Sequence, residues 1–347
     1  MARVIGIDPG TKSFDFCGLE DDSVILNTSV STHDIINDPG KISDIILKTK
    51  ADLVVGPSGF GIPLSNIEDI GEQELFLMSL IKKGNDKNIL GMRRSINCLK
   101  QKGLPIVFIP GVIHLSTVPE YRKFNKIDMG TADKLCCAAL GIRDQALRDS
   151  KNYNETSFIM LEMGFGYTAA VAVKDGKIVD GIGGSSGNIG FLSMGGMDSE
   201  LAYLLGGISK ELIFKGGVRT IAETPEKLME NDKALNAYLE SGIKDILSLT
   251  ASVKPQEILI SGRISRTKGL FEEFKKHIDI APVRRLEGFH VKNVKEAAEG
   301  AALVANGLAG GKYREIVDIM EIRGAKGTSL DYILLPEIGT LKKEYGI

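Results

Sequence analysis

One pattern occurs twice along this chain, and no other feature narrows its fold as much. Residues 4–13 read Val-Ile-Gly-Ile-Asp-Pro-Gly-Thr-Lys-Ser, and residues 158–168 read Phe-Ile-Met-Leu-Glu-Met-Gly-Phe-Gly-Tyr-Thr. Each copy is an apolar run that ends in one carboxylate, Asp8 or Glu162. A glycine follows two residues later, Gly10 or Gly164, and then hydroxyl residues. Beyond each turn come a second apolar run, a polar tip and a third apolar run, at 14–26 and again at 169–179. Short apolar runs separated by Gly-rich or charged tips predict strands in an antiparallel meander. Two such meanders predict two lobes, each opened by one.

Length agrees with that division. The 347 residues exceed one ordinary domain and suit two of about 150 residues each. We divide them at 1–150 and 151–347, because residues 144–156 are polar and charged, and the last helix is expected to pack back on the first lobe. Hydrophobic residues make up 43%, enough for two cores. A net charge of −2 with no basic stripe argues against a nucleic-acid partner. The first residues lack a secretory apolar region and no run is long enough to cross a membrane, so a cytoplasmic protein is expected. The four cysteines, Cys17, Cys98, Cys136 and Cys137, form no Cys-x-x-Cys pair and read as small core residues.

Between the meanders, helices are predicted at 41–50, 74–83, 89–102 and 131–142, and buried strands at 51–55 and 104–109. The loop at 56–63 carries three glycines and two prolines at the end of a strand, a frequent place for a ligand in an open α/β sheet. After the second meander, residues 181–197 hold seven glycines in seventeen positions. Helices are predicted at 199–205, 227–249 and 294–308, with strands at 257–260 and 332–335. Strands alternate with helices after each meander, so each half reads as α/β with a mixed sheet.

Two hairpins with glycine tips suit a nucleotide phosphate tail, because backbone N–H groups can approach phosphate oxygens where no Cβ intervenes. The tip Gly10-Thr11-Lys12-Ser13 adds two hydroxyls and a cation, and Asp8 is placed to hold Mg²⁺. Gly164, Gly166 and Thr168 offer a second set, expected to cradle the inner phosphates. Ser261-Gly262-Arg263 closes a buried strand with the kind of small-residue turn on which adenosine can lie. Neither tip is a Walker loop or a dinucleotide fingerprint. The expected cofactors are ATP and Mg²⁺.

These three segments resemble the phosphate-one, phosphate-two and adenosine motifs of the superfamily that contains acetate kinase, sugar kinases, heat-shock chaperone ATPases and actin. Residues 161–168 are similar to the phosphate loop of its acetate and butyrate kinase branch. Gly130-Thr131-Ala132-Asp133-Lys134 resembles that branch's Gly-Thr-Ser-His-Lys element, with Asp133 in place of histidine, and Glu299-Gly300-Ala301 resembles the butyrate kinase Glu-Gly-Ala. Over residues 1–310 the chain looks like an archaeal-type family of predicted butyrate kinases. The resemblance implies two ribonuclease H-like (actin-like ATPase) lobes with a nucleotide cleft between them, and a homodimer. It also implies a kinase that acts on a small-molecule acceptor, a short-chain carboxylate being one such acceptor.

The chain departs from that branch at two places. Residues 56–61 hold no basic residue where acetate kinases carry a substrate arginine, and Pro110-Gly111 stands where they carry an essential aspartate. Candidates to replace them cluster at 114–133. Arg122 and Lys123 can neutralise a phosphoryl group in transfer. Asp128 can act as base towards a hydroxyl or hold Mg²⁺, and Asp133 suits the first turn of its helix. The expected catalytic set is Asp8, Asp128, Arg122 and Lys123. The alternative is an ATP-hydrolysing conformational switch that acts on a partner protein, which the missing arginine favours.

Overall fold

The computed structural model describes every residue except 1, 11, 83–85 and 290–293. The first meander forms as β1 (Arg3–Pro9), β2 (Ser13–Glu20) and β3 (Ser23–Ser31). Three more strands, β4 (Leu53–Val55), β5 (Ser65–Asn66) and β6 (Ile106–Phe108), complete a sheet of order β3-β2-β1-β4-β6-β5. The second meander is β7 (Phe158–Met163), β8 (Thr168–Lys174) and β9 (Lys177–Ile182). With β10 (Glu257–Ser261) and β11 (Val283–Arg285) it forms a sheet of order β11-β10-β7-β8-β9.

Both sheets follow one plan. The first strand of each meander pairs antiparallel with the second on one side and parallel with a later strand on the other, β4 beside β1 and β10 beside β7. Each is therefore a mixed sheet opened by a meander, and the protein is α/β with two lobes.

Two buried helices pack between the sheets, each on the sheet of the other half. The helix Ala132–Asp149 lays Gly141 against Phe158 and Leu259 of the second sheet. The helix Glu296–Leu308 packs on the first sheet, where a side chain on Gly6 of β1 would meet the backbone of Ala298, Ala301 and Ala302. The two helices touch at Gly300, whose missing side chain admits the Cys136 backbone. Small residues are required there because the backbones nearly meet. The C-terminal helix Ile338–Tyr345 also returns to the first lobe, stacking Tyr345 on Phe76 with ring centroids 3.6 Å apart.

Four expectations change. The helix predicted at 131–142 continues to Asp149 through the polar stretch. Its charges there are used internally: Arg148 and Arg284 both bind Glu257, and Arg148 also binds Asp144. The helix predicted at 227–249 is two, Pro225–Leu228 and Asp232–Leu249, because Asn231 caps the second by accepting from the Ala234 N–H. Residues 332–335 form no strand. Their backbone joins no sheet: Asn125 donates its N–H to Tyr332 O and accepts from Leu334 N–H through its side chain, and Leu335 O accepts from the Ile338 N–H. The helix predicted at 74–83 spans Glu72–Ser79, stopped by Leu80 at φ 50°. Among the described residues no helix is long and apolar enough to cross a membrane.

Candidate active site between the two hairpins

Asp8 ends β1 directly opposite Asp15 of β2. The tip between them is tied back by Gly10 N–H donating to Ser13 O at 2.8 Å and by the Thr32 hydroxyl donating to Gly10 O at 2.8 Å. Thr11 lies outside the described residues. Lys295, just ahead of the helix Glu296–Leu308, reaches both acids. Its ammonium hydrogen-bonds Asp8 and stands 3.6 Å from Asp15, while its backbone N–H donates to Asp15 at 3.2 Å. Burial raises the Asp8 pKa and the Lys295 charge opposes that rise.

Glu162 ends β7 in the equivalent place. Its partner is Lys134, whose ammonium lies 2.6 Å from Glu162 and 2.5 Å from Asp133. Asp133 sits in the first turn of the helix Ala132–Asp149, where its charge suits the helix N-terminus, and it accepts from the Thr131 hydroxyl. Burial pushes the Glu162 pKa up, against Lys134. For Asp133 burial also opposes ionisation, but Lys134 and Thr131 prevail and the pKa falls. Lys134 itself is buried, yet its two carboxylates hold its pKa well above the ordinary value.

These groups form one electrostatic unit. Asp8 and Glu162 end strands of separate sheets, yet Asp133 raises the cost of ionising both, and Asp8 adds to that of Glu162. The tips also touch: the Lys12 ammonium lies 4.0 Å from the ring centre of Phe165. Gly164 is required at the second tip, since a Cβ there would stand 2.6 Å from Tyr167 O. Gly166 O accepts from the Ser193 N–H. The Thr168 hydroxyl is buried and faces Tyr238 at 3.5 Å, so it is drawn into the core rather than towards the tip.

The strand β10 places Ser261 beside Glu162 in parallel register. Gly262 adopts φ 89° against the backbone of Met163, a turn that a larger residue would strain. The Ser261 hydroxyl is buried without a hydrogen-bond partner, and Arg263 is exposed beside it.

Asp128 is buried a short way along the same cleft. It accepts from Gly130 N–H at 2.9 Å and from the Ser185 hydroxyl at 3.4 Å, and burial raises its pKa. Arg122 and Lys123, expected beside it as catalytic cations, are held elsewhere. Arg122 donates to Val179 O at 2.8 Å and faces Asp180 at 3.7 Å, while Lys123 donates to Leu115 O at 2.8 Å and to the Tyr332 hydroxyl at 3.3 Å. Both fasten their loop to neighbouring backbone. The cations that stand beside the cleft acids are Lys134 and Lys295. His114 is buried, accepts from Gly111 N–H, and is pushed down to about 4 by burial, so it is neutral.

Four carboxylates, Asp8, Asp15, Asp133 and Glu162, face two ammonium groups, Lys134 and Lys295. Carboxylates outnumber ammonium groups there by two, an acidic donor set of the kind a divalent cation takes. Among the described residues no three acids, histidines or cysteines converge to hold a metal unaided. Mg²⁺ takes one or two carboxylates and completes its shell with phosphate oxygens and water, so Asp8 would be enough to give it a protein ligand.

The fold is shared with solved kinases. A propionate kinase from Francisella tularensis subsp. tularensis SCHU S4 superposes with a TM-score of 0.62 at 15% identity, over 86% of this chain and 99% of that one. Acetate kinase from Entamoeba histolytica gives 0.56 at 11%, over 78% and 85%, and Porphyromonas gingivalis acetate kinase gives 0.55 at 15%, over 80% and 87%. No protein of curated function matches the sequence. A family model covers residues 6–335, and by that match the chain belongs to the family described as "Protein of unknown function (DUF1464)".

Proposed function

We propose that the chain is an ATP-dependent phosphotransferase that moves the γ-phosphoryl group of ATP onto a small molecule held between the lobes. The observation that carries this reading is the contact of the two hairpin tips through Lys12 and Phe165, with Lys295 on Asp8 and Lys134 on Glu162. Ligands in open α/β sheets bind beyond the carboxyl ends of the strands, where both acids stand. The likeness of fold to acetate and propionate kinases supports the same reading by analogy.

In this account Gly10, Thr11, Lys12 and Ser13 contact the outer phosphates, and Gly164 and Gly166 the inner ones. Ser261, Gly262 and Arg263 receive the adenosine. Asp8 would hold Mg²⁺, which when bound spreads the charge of the phosphoryl group in transfer. Lys134 and Lys295 oppose the cost that burial places on the charged acids and fix them in place, so the site needs little reorganisation as charge develops.

The acceptor we favour bears a carboxylate, as the acceptors of the acetate and propionate kinases do. It would lie beside Asp128 and the loop at 56–63. The test is acceptor-dependent ADP release in a coupled assay over short-chain carboxylates, sugars and pantothenate-like alcohols. Release that rises with one acceptor class is expected. Release indifferent to every acceptor would refute the reading and favour an ATP-hydrolysing switch.

A further inference from the structure

The segment between the helix Ser199–Leu205 and Phe214 crosses from the second half to the first. Its inner end is fixed by Phe214, whose ring centre lies 5.0 Å from that of Tyr167 in the second hairpin tip. Lys210, at the start of the 3-10 turn Lys210–Phe214, places its ammonium 5.0 Å from the ring centre of Phe60. Phe60 belongs to the Gly-rich loop after β4, the loop that carries no basic residue of its own. The second half thus supplies a cation to a place where the first half has none.

Lys210 is half-buried, and among the described residues no carboxylate stands within ion-pair distance of it. Burial lowers its pKa, and among the described residues the one acid whose field opposes this is Asp128. A cation withdrawn from water without a counter-ion is costly unless an anion arrives. Asp128 is incompletely used in its turn. A carboxylate accepts about four hydrogen bonds, and its side chain here takes one good one from Gly130, one from the Ser185 backbone and a long one from the Ser185 hydroxyl. Its raised pKa makes it a stronger proton acceptor than an exposed aspartate.

We propose that the acceptor is a small hydroxy acid, its carboxylate against the Lys210 ammonium and its hydroxyl against the Asp128 carboxylate. The inference rests on the phosphotransferase reading above and narrows it. A simple carboxylate with only one polar end satisfies Lys210 and leaves Asp128 idle, or meets Asp128 and is repelled by it. A neutral polyol satisfies Asp128 and leaves Lys210 without an anion. In the step, the acceptor hydroxyl oxygen attacks the γ-phosphorus and a new P–O bond forms. The bond from that phosphorus to the β–γ bridging oxygen breaks, and its electron pair leaves on ADP. The hydroxyl proton passes to Asp128 and then to water, and the acceptor carboxylate is unchanged. The product is a phosphate ester.

The experiment measures ADP release with three probe sets: glycerate, lactate and 3-hydroxybutyrate; propionate and butyrate; glycerol and glucose. Hydroxylamine is added in parallel, since it traps acyl phosphates and leaves esters intact. Turnover is expected with a hydroxy acid and no hydroxamate is expected. Lys210→Ala should raise the hydroxy-acid KM roughly 10- to 100-fold, with the KM for ATP unchanged and with part of the loss restored in Lys210→Arg. Asp128→Asn should instead lower kcat by roughly 100-fold or more. Turnover with propionate, butyrate, glycerol or glucose equal to that with the hydroxy acids would overturn the inference and leave the phosphotransferase reading standing. So would a hydroxamate product, or an unchanged KM in a folded Lys210→Ala protein. ADP release that no probe raises would overturn both.

Discussion

The ammonium of Lys134, on a helix of the first half, lies 2.6 Å from Glu162 at the end of β7 in the second half. It also lies 2.5 Å from Asp133 on its own helix. One side chain therefore joins the two halves at the point where the two hairpins meet. Its side chain is 11% exposed, so the pair is screened little by water. Removing one partner of a buried pair leaves a charge without compensation, which costs about 3–5 kcal/mol. Lys134→Met should lose about that much in urea unfolding. Glu162→Gln should lose less, because Asp133 continues to balance Lys134.

Gly300 should tolerate no side chain. Its absent Cβ is the space into which the Cys136 backbone fits, and backbone cannot swing aside as a side chain can. Gly300→Ala should destabilise the chain by about 1–3 kcal/mol, the usual cost of overpacking. The loss should appear in the unfolding midpoint of both halves together, because the two exchanged helices cross there.

Glu299 gives a pH dependence of definite sign. Burial pushes its pKa from 4.5 up to about 7, against the hydrogen bond from Phe289 N–H. A carboxyl raised in the folded state favours folding while it is protonated. Its contribution is full below the unfolded value near 4.5 and disappears as pH rises through about 7. A shift of that size corresponds to about 3 kcal/mol. Glu299→Gln should therefore flatten the fall in stability between pH 5 and pH 8, measured by chemical unfolding at both. His114 works in the opposite sense. Its lowered pKa removes stability as pH falls from 6.5 through about 4, so the two slopes separate only in single variants.

Arg122 serves the fold in this structure. Arg122→Ala removes the bond to Val179 O and the contact with Asp180, and should cost about 1.5–3 kcal/mol, the range for hydrogen bonds to charged groups. Its KM for ATP should stay at the wild-type value. Loss of nucleotide affinity in a folded Arg122→Ala protein would return Arg122 to the catalytic set.

What was legible in the sequence was local. The two meanders follow from short apolar runs and glycine tips, and Asp8 and Glu162 are visible because each ends such a run. The pairing of Asp8 with Lys295, 287 positions away, has no local signature. Lys134 stood inside a recognisable motif, but its partner Glu162 lies across a strand boundary in the other half. Arg122 and Lys123 looked like free cations because a sequence does not reveal which carbonyls a lysine or arginine will find. The same holds for residues 332–335, an apolar run with no ladder to join. Lys210 had no signal of its own in the sequence. Only the crossing to Phe60 gives that lysine a role.

The central claim is that the two hairpins clasp one Mg²⁺-bound nucleotide. Calorimetric titration with the β,γ-imido analogue of ATP tests it most directly, with and without Mg²⁺, on the wild-type chain and on Asp8→Ala and Glu162→Ala. The account predicts one nucleotide per chain and affinity that depends on Mg²⁺. It also predicts a loss in both variants, with Asp8→Ala the more complete because Asp8 stands beside the tip that carries Lys12 and Ser13. Absence of binding, or binding that neither Mg²⁺ removal nor Asp8→Ala weakens, would contradict it.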